Sequence, residues 1–135
     1  MKYKYRTFVS PNDPEGVYTY PLVGATLKHG RKQIRVDCLV DSGATESLFS
    51  YDIAALLGID LTKAQEQEYI GIGTSTFKGR RKTVQLKLNG FDTWISIDAG
   101  FIDQNEMPLL GHSGFFENYE IVFRAYEEKF EIKKR

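Results

Sequence analysis

Short segments in which apolar and polar residues alternate recur along most of this chain, and this pattern constrains the fold more than any other feature. The clearest segments are residues 18–27 and 33–40, and residues 2–9 alternate basic and aromatic side chains. Alternation with a period of two is typical of a β-strand with one buried face. In residues 33–40 four apolar side chains fall on one face: Ile34, Val36, Cys38 and Val40. The sequence therefore predicts a chain built mostly of strands.

Turn-forming residues separate the predicted strands. Residues 10–16 contain two prolines, an Asn and a Gly, and we predict a loop there, with a polar connector at residues 62–68. The dipeptide Asn89-Gly90 lies between two apolar segments, residues 83–88 and 91–97. Because this dipeptide suits a tight turn, we predict that the two segments form a β-hairpin.

One segment has helical spacing. Ser50 suits an N-cap and Gly58 suits a C-terminal stop, so a short helix is expected between them. Its apolar stripe would consist of Phe49, Ile53, Leu56 and Leu57. A second short helix is expected near His112 or Ser113. Residues 121–123 and 130–132 are predicted to be closing strands.

These elements together predict an all-β fold with one or two short helices, either a small barrel or a sandwich. The chain has 135 residues and zero net charge, so we expect one domain and no nucleic-acid or lipid partner. One cysteine excludes an intrachain disulfide, and with two histidines it leaves little material for a metal site; we expect no metal and no cofactor. No apolar run approaches ~18 residues, and no signal peptide is evident, so we expect a cytoplasmic protein without membrane contact.

The segment most able to carry chemistry begins where the strand at residues 33–40 ends. There the sequence continues into Asp41, Ser42, Gly43, Ala44 and Thr45, so the Asp41 carboxylate would emerge at the start of a tight turn. Gly43 permits a close approach of the backbone, and the Ser42 hydroxyl can satisfy backbone groups within the turn. Because Asp, Ser and Gly all favour turns, an ordinary turn is the alternative interpretation.

Together with two later motifs, this segment resembles the active-site loop of the retropepsin-like aspartic proteases. That family has an apolar strand leading into Asp-Ser/Thr-Gly-Ala, then a glycine-rich flap, then two apolar residues followed by Gly. Residues 69–80 look like the flap, which would be formed by Gly71, Ile72, Gly73 and Thr74. After Pro108, the closing motif is matched by Leu109, Leu110 and Gly111. The three motifs occur in the family's order, and the resemblance covers residues 20–123.

The resemblance implies a closed-barrel-like fold, a polypeptide substrate and the activity of an aspartic endopeptidase. Peptide hydrolysis by this route needs two carboxylates that share a proton, and this chain offers one such loop. The resemblance therefore implies a symmetric homodimer, in which Asp41 of each chain faces the other and the pair activates a water. The Ser42 hydroxyl would reach across to the partner's loop, and the flap would close over an extended substrate.

The sequence departs from the retroviral members of that family in two places. Where they carry an acidic residue and an Arg that form an ion pair, this chain has Thr45 and His112. It also begins well before the first matching strand, so we predict an N-terminal extension at residues 1–17 and a protease domain at residues 18–135. Residues 1–35 carry seven Lys or Arg against two Asp or Glu. We hypothesise that strands at residues 2–9 and 129–132 help to form a dimer sheet.

Two other functions fit the same sequence: a retropepsin-like module that binds peptides or proteins without cleaving them, and a structural β-barrel without a pocket. The intact Asp-Ser-Gly-Ala favours the enzyme, because a pure binder gains nothing obvious from two facing carboxylates. Asp98 precedes Ala99-Gly100 but lacks the following Ser or Thr, so we interpret it as part of a turn. We interpret His29 and His112 as surface or hydrogen-bonded polar residues.

Overall fold

The computed structural model of the chain describes residues 1–70, 76–104 and 107–135, except for the side chain of Pro14. These residues form twelve strands, one short α-helix, α1 (Tyr51–Leu56), and one turn of 3₁₀ helix (Ala125–Glu127). In chain order the strands are β1 (Lys2–Lys4), β2 (Arg6–Ser10), β3 (Asp13–Tyr20), β4 (Leu22–His29), β5 (Lys32–Val40), β6 (Ser47–Ser50), β7 (Gln65–Ile70), β8 (Thr76–Leu88), β9 (Ile95–Ile102), β10 (Leu109–Leu110), β11 (Tyr119–Arg124) and β12 (Lys129–Lys134). The prediction of an all-β fold with short helices is confirmed.

The main sheet closes on itself. Its strands follow the order β4-β5-β10-β6-β9-β8-β7, and β8 also pairs with β4 along the register from Ala25 opposite Leu88 to Lys28 opposite Gln85. This second pairing joins the ends of a ring of six strands, and β7 continues the sheet beyond β8. Since closure leaves most strands without a free edge, the expected closed barrel is confirmed.

The barrel interior is filled by the alternate side chains that the sequence pattern predicted. In β8 the side chains of Val84, Leu86 and Leu88 are buried while Thr83 and Gln85 are exposed. On the apolar face of β5, Cys38 and Val40 in the C-terminal half are fully buried. Ile34 and Val36 in the N-terminal half are half-buried. The period-two pattern therefore predicted the buried face correctly.

A second, three-stranded sheet joins the two ends of the described chain. Its order is β1-β12-β11, with both pairs antiparallel, and the predicted closing strands are confirmed as β11 and β12. Phe130 of β12 is 1% exposed and packs against the rings of Tyr3 and Tyr5, at centroid distances of 5.2 and 5.8 Å. Because β12 lies between two strands of its own chain, a dimer sheet would have to extend from β1 or β11.

The predicted loop at residues 10–16 is wrong in most of its length. Only Pro11 and Asn12 form the turn, and β3 begins at Asp13, so that β2 and β3 pair as a two-stranded antiparallel hairpin. The register shifts between Val9 and Ser10, and this bulge accommodates the turn-forming residues within a strand. Residues 2–9 are accordingly not one strand, because the chain leaves the terminal sheet at Tyr5 before β2 begins.

The first predicted helix is confirmed in its position, and its apolar stripe is confirmed in part. Ser50 is the N-cap, and its hydroxyl accepts a hydrogen bond from the backbone N–H of Ile53. Phe49 lies in β6 rather than in the helix, and Leu56 is 63% exposed. Phe49 and Leu57 are nevertheless 1% exposed and Ile53 packs against the core, so Leu56 is the residue of the predicted stripe that does not face the core.

The second predicted helix is wrong, since His112 and residues 114–118 form turns and Ser113 forms a bridge with Glu46. Gly114 has a φ of +87°, which no α-helical residue adopts, so a helix that began at His112 would stop there.

The polar connector is also shorter than predicted, because β7 begins at Gln65 and pairs with β8. Asp98 likewise lies within β9 and not in a turn.

The predicted turn at Asn89-Gly90 is confirmed, and Gly90 has a φ of +93° that suits a glycine. The strand after it begins later than expected, at Ile95, because residues 91–94 continue the connection. From there β9 runs antiparallel to β8, from Ile95 opposite Leu86 to Ile102 opposite Gly79.

Among the described residues, no helix is long and apolar enough to cross a membrane.

We predict that Phe130→Ala lowers the free energy of unfolding by about 3–5 kcal/mol, because it removes the ring that joins the terminal strands to the core. Urea denaturation followed by circular dichroism would measure the loss. Phe123→Ala is the matched control, since Phe123 lies opposite Phe130 on β11 but is 37% exposed. Equal losses for the two variants would contradict the assigned role of Phe130.

Candidate active site

The loop that begins at Asp41 is held by backbone hydrogen bonds on each side of that residue. The Val40 N–H donates to the Pro21 carbonyl at 3.0 Å, and the Asp41 N–H donates to the Leu110 carbonyl at 3.0 Å. The chain then turns sharply, because the Ala44 N–H donates to the Asp41 carbonyl at 3.2 Å. Asp41 therefore stands at the end of β5 on a backbone that the barrel itself positions.

The Asp41 carboxylate is oriented within this turn. Its Oδ1 accepts a hydrogen bond of 2.9 Å from the Gly43 N–H. A Cβ at position 43 would lie 3.3 Å from the same oxygen, so a side chain there would require the carboxylate to shift by a few tenths of an ångström. The bond restricts rotation of the carboxylate and leaves Oδ2 available for another partner.

The closing motif packs directly against the Asp41 loop. Leu109 and Leu110 form β10, which is parallel to β5, with Leu110 opposite Val40. At Gly111 the backbone approaches the loop so closely that a Cβ would lie 2.7 Å from the Ala44 carbonyl oxygen, with the Glu46 carbonyl oxygen closer still. The structure thus brings together two motifs that are about 70 positions apart in the sequence.

Ser47 of β6, the strand that follows the Asp41 loop, bonds to the closing motif, and the sequence analysis did not identify it. Its side chain is fully buried, and its hydroxyl accepts a hydrogen bond of 3.1 Å from the Gly111 N–H. The same hydroxyl donates to the Ser113 carbonyl at 3.4 Å. The sequence carried no clear signal for this role, because β6 also contains Ser50 and only the fold shows that the Ser47 hydroxyl is buried and needs a partner.

A cleft of about 840 Å³ opens beside the Asp41 loop. Five residues of the predicted loop and closing motif line this cleft: Asp41, Gly43, Ala44, Thr45 and Leu109. The other residues of the two motifs do not line it: Ser42, Leu110 and Gly111. The opposite wall includes Tyr69 of β7, Phe77 of β8 and Ile102 of β9. This cleft argues against the interpretation of the chain as a barrel without a pocket. The predicted flap residues Gly71, Ile72, Gly73 and Thr74 lie outside the described residues.

A polar network at the edge of the cleft connects the Asp41 loop to β7 and β8. Glu46 Oε1 accepts hydrogen bonds from Gln67 Nε2 and from Arg81 Nη2, each at 3.0 Å. Tyr69 lies beside this pair; burial raises the pKa of Tyr69 to about 12, and the negative charge of Glu46 adds to the rise. Sequence reasoning missed Glu46, because its partners come from strands more than twenty residues away.

His112 approaches the Asp41 loop with both its backbone and its side chain. Its N–H donates to the Ala44 carbonyl at 2.9 Å, and its ring Nε2 lies 2.7 Å from the Ser42 carbonyl oxygen. The ring stacks on Phe116 at a centroid distance of 4.9 Å. The expectation of a hydrogen-bonded polar residue is confirmed, with a partner inside the candidate site. His29, at the end of β4, does not line the cleft.

Among the described residues, no group of three His, Cys, Asp or Glu side chains is arranged to hold a metal ion. Asp98 is not part of the cleft; it accepts a hydrogen bond from the Thr83 hydroxyl on the neighbouring strand. The basic residues beside the predicted flap are partly paired, since Lys78 and Arg80 each lie 3.8 Å from Glu66. Glu46 and Glu68 also line the cleft, but Asp41 is the lining carboxylate that belongs to the turn.

We predict that Gly111→Ala destabilises the protein by at least about 1–3 kcal/mol, because the added methyl group would overlap two backbone carbonyls of the loop. Thermal and urea denaturation would measure the effect. Gly24→Ala is the matched control, since a Cβ there would have its nearest neighbours at 3.7 Å. A tolerated Gly111→Ala would mean that the loop and the closing motif are not in close contact.

The sequence profile of a protein family described as aspartyl protease matches residues 24–113. Among solved structures, the chain is similar to a retropepsin-like aspartic protease from Rickettsia conorii, with 16% identity, a TM-score of 0.61 and 98% of both chains covered. It is also similar to the EIAV protease in complex with the inhibitor HBY-793, with 19% identity, a TM-score of 0.56, and 69% of this chain and 82% of that chain covered.

A search of curated proteins found no match. At these low identities the structural similarities show the fold, which is that of the retropepsin-like proteases. The family profile covers two thirds of the sequence, including the Asp41 loop, the cleft-lining strands and the closing motif. On this evidence the chain belongs to the aspartyl protease family, with the retropepsin-like fold.

Proposed function

We propose that this protein is an aspartic endopeptidase that hydrolyses peptide bonds of polypeptides as a symmetric homodimer. The observation that carries the proposal is the position of Asp41: its carboxylate is held by the Gly43 N–H at the end of β5 and faces the cleft. The sequence contains one Asp-Ser-Gly segment, so a second carboxylate of this kind has to come from a second chain. The partner in the proposed dimer is therefore a second copy of this protein.

In the proposed mechanism the two Asp41 carboxylates share one proton and hold a water between them. The ionised carboxylate takes a proton from the water while the water oxygen attacks the scissile carbonyl carbon. At the same time the protonated carboxylate gives its proton to the carbonyl oxygen. The tetrahedral intermediate then collapses, the C–N bond breaks, and the leaving nitrogen receives a proton from the dyad. No cofactor enters these steps.

The shape and the lining of the cleft support a polypeptide substrate. Its volume of about 840 Å³ lies within the roughly 300–1,000 Å³ of ligand-binding clefts. Leu48, Phe77 and Met107 offer apolar surface for substrate side chains. We also propose that Gly71, Ile72, Gly73 and Thr74 form a flap over this substrate, because β7 and β8 lead to and from them.

The division of the chain is part of the same proposal. Residues 18–135 would form the protease domain, and residues 1–17 an extension of it. β1 is packed into the terminal sheet beside β12, and the β2–β3 hairpin crosses the proposed boundary, so the extension would fold together with the domain. Arg6 also bonds to Asp37 of β5 at 2.8 Å, which holds the hairpin to the strand that leads to Asp41.

We predict that Asp41→Asn abolishes cleavage of a diverse peptide library between roughly pH 4 and 7, while the wild-type protein cleaves it. An amide cannot act as the base that takes the proton from water. Asp98→Asn is the matched control, because Asp98 lies on β9 outside the cleft, and it should cleave like the wild type. Mass spectrometry of the products and sedimentation velocity of each variant would be measured together.

The outcomes separate the proposed function from its main alternative. Cleavage that survives Asp41→Asn would rule out the mechanism. A wild-type protein that binds peptides from the library but cleaves none would favour the non-catalytic binding module. A wild-type rate that rises with protein concentration more steeply than the first power would support the dimer, because assembly then limits the active fraction.

A further inference from the structure

The Asp41 carboxylate depends on one peptide bond for its orientation, the bond between Ser42 and Gly43. The N–H of this peptide unit donates to Asp41 Oδ1 at 2.9 Å. The carbonyl of the same unit accepts from the His112 ring, whose Nε2 is 2.7 Å away. Because a peptide unit is planar, fixing the direction of its carbonyl also fixes the direction of its N–H.

The direction of the bond to His112 follows from the chemistry of the two groups. A backbone carbonyl oxygen can only accept a hydrogen bond, so Nε2 must carry the proton and donate it. In the neutral ring this requires the tautomer that is protonated at Nε2. When the ring is charged, Nε2 keeps its proton, and the same bond can form. In both protonation states the acceptor is the uncharged carbonyl oxygen of Ser42.

The ring is held in position from outside the loop. It stacks on Phe116 with an interplanar angle of 23°, and Phe116 packs edge-on against Phe115, which is fully buried in the core. The Phe116 N–H donates to the Gly111 carbonyl at 3.2 Å. His112 itself is exposed in the single chain, so stacking rather than burial orients its ring.

We propose that His112 is a positioning residue for Asp41: it holds the Ser42 carbonyl so that the adjacent N–H of Gly43 points at the Asp41 carboxylate. The inference rests on the proposed function, because a position matters to catalysis only if Asp41 is catalytic. The hydrogen bonds from His112 to the loop carbonyl and from Gly43 to the carboxylate also reinforce each other, since each polarises the peptide unit between them. His112 acts through this peptide unit and does not touch the reacting atoms.

Two substitutions at His112 distinguish the effect of the hydrogen-bond donor from the effect of the stacked ring. His112→Phe keeps a ring that can stack on Phe116 but removes the Nε2 donor. His112→Gln removes the ring but places an amide donor at a similar distance along the side chain. His29→Phe is the matched control, because His29 is the other histidine of the chain and lies outside the cleft.

We expect His112→Phe to lower kcat about tenfold with KM changed by less than about twofold, which is the effect of losing one hydrogen bond that orients a catalytic group. His112→Gln should recover most of this loss, and His29→Phe should match the wild type. Sedimentation velocity should show the same dimer dissociation constant for the wild type and His112→Phe. Equal losses in both His112 variants, an unchanged kcat in His112→Phe, or a weakened dimer would each overturn the assignment.

A second measurement does not depend on activity. In the wild type, ¹⁵N NMR of the imidazoles should show His112 protonated at Nε2, and His29→Phe identifies its signals because one histidine then remains. In His112→Phe the Gly43 amide should exchange with solvent faster. A neutral His112 ring protonated at Nδ1, or an unchanged Gly43 amide, would overturn the inference even if the enzyme is active. A wild type that shows the expected tautomer but no cleavage would instead overturn the proposed function.

Discussion

The parallel pairing of β10 with β5 is the constraint on which the site depends. In this register Leu110 lies opposite Val40, so the Leu110 carbonyl receives the Asp41 N–H and Gly111 meets the backbone of the Asp41 loop. β10 contributes two residues to this pairing, and the hydroxyl of Ser47 on β6 holds the residues that follow β10 through Gly111 and Ser113. The remaining contacts of the loop, including those of His112 and Ser113, follow from this alignment.

Two polar connections leave the Asp41 loop in opposite directions. On one side His112 reaches the Ser42 carbonyl, and on the other Glu46 reaches Gln67 of β7 and Arg81 of β8. Glu46 is largely buried, and removing one partner of a buried ion pair leaves an uncompensated charge. The loop is therefore tied both to the closing turn and to the strands that form the opposite wall of the cleft.

Sequence reasoning succeeded where local chemistry decides the conformation and failed where partners decide it. Ser50 caps α1 as predicted, and the apolar face of β5 is the buried one, because capping and alternation are local properties. The loop predicted at residues 10–16 is largely strand, since β2 offers β3 a partner for its backbone. The helix predicted near His112 is absent from the described residues because Gly114 has a positive φ and the backbone bonds to the Asp41 loop.

The sequence by itself determined the type of structure, the buried face of the strands, and the identity and order of the Asp41 loop and the closing motif. Those features lie in residue type and short-range spacing, which are visible without a fold. Only the tertiary structure decided that Ser47 bonds to Gly111 of the closing motif, that Glu46 is paired with Arg81, and that His112 bonds to the Ser42 carbonyl. Each of these contacts joins residues 35 to 70 positions apart, and pairing between strands that are distant in the sequence brings such residues within hydrogen-bonding distance.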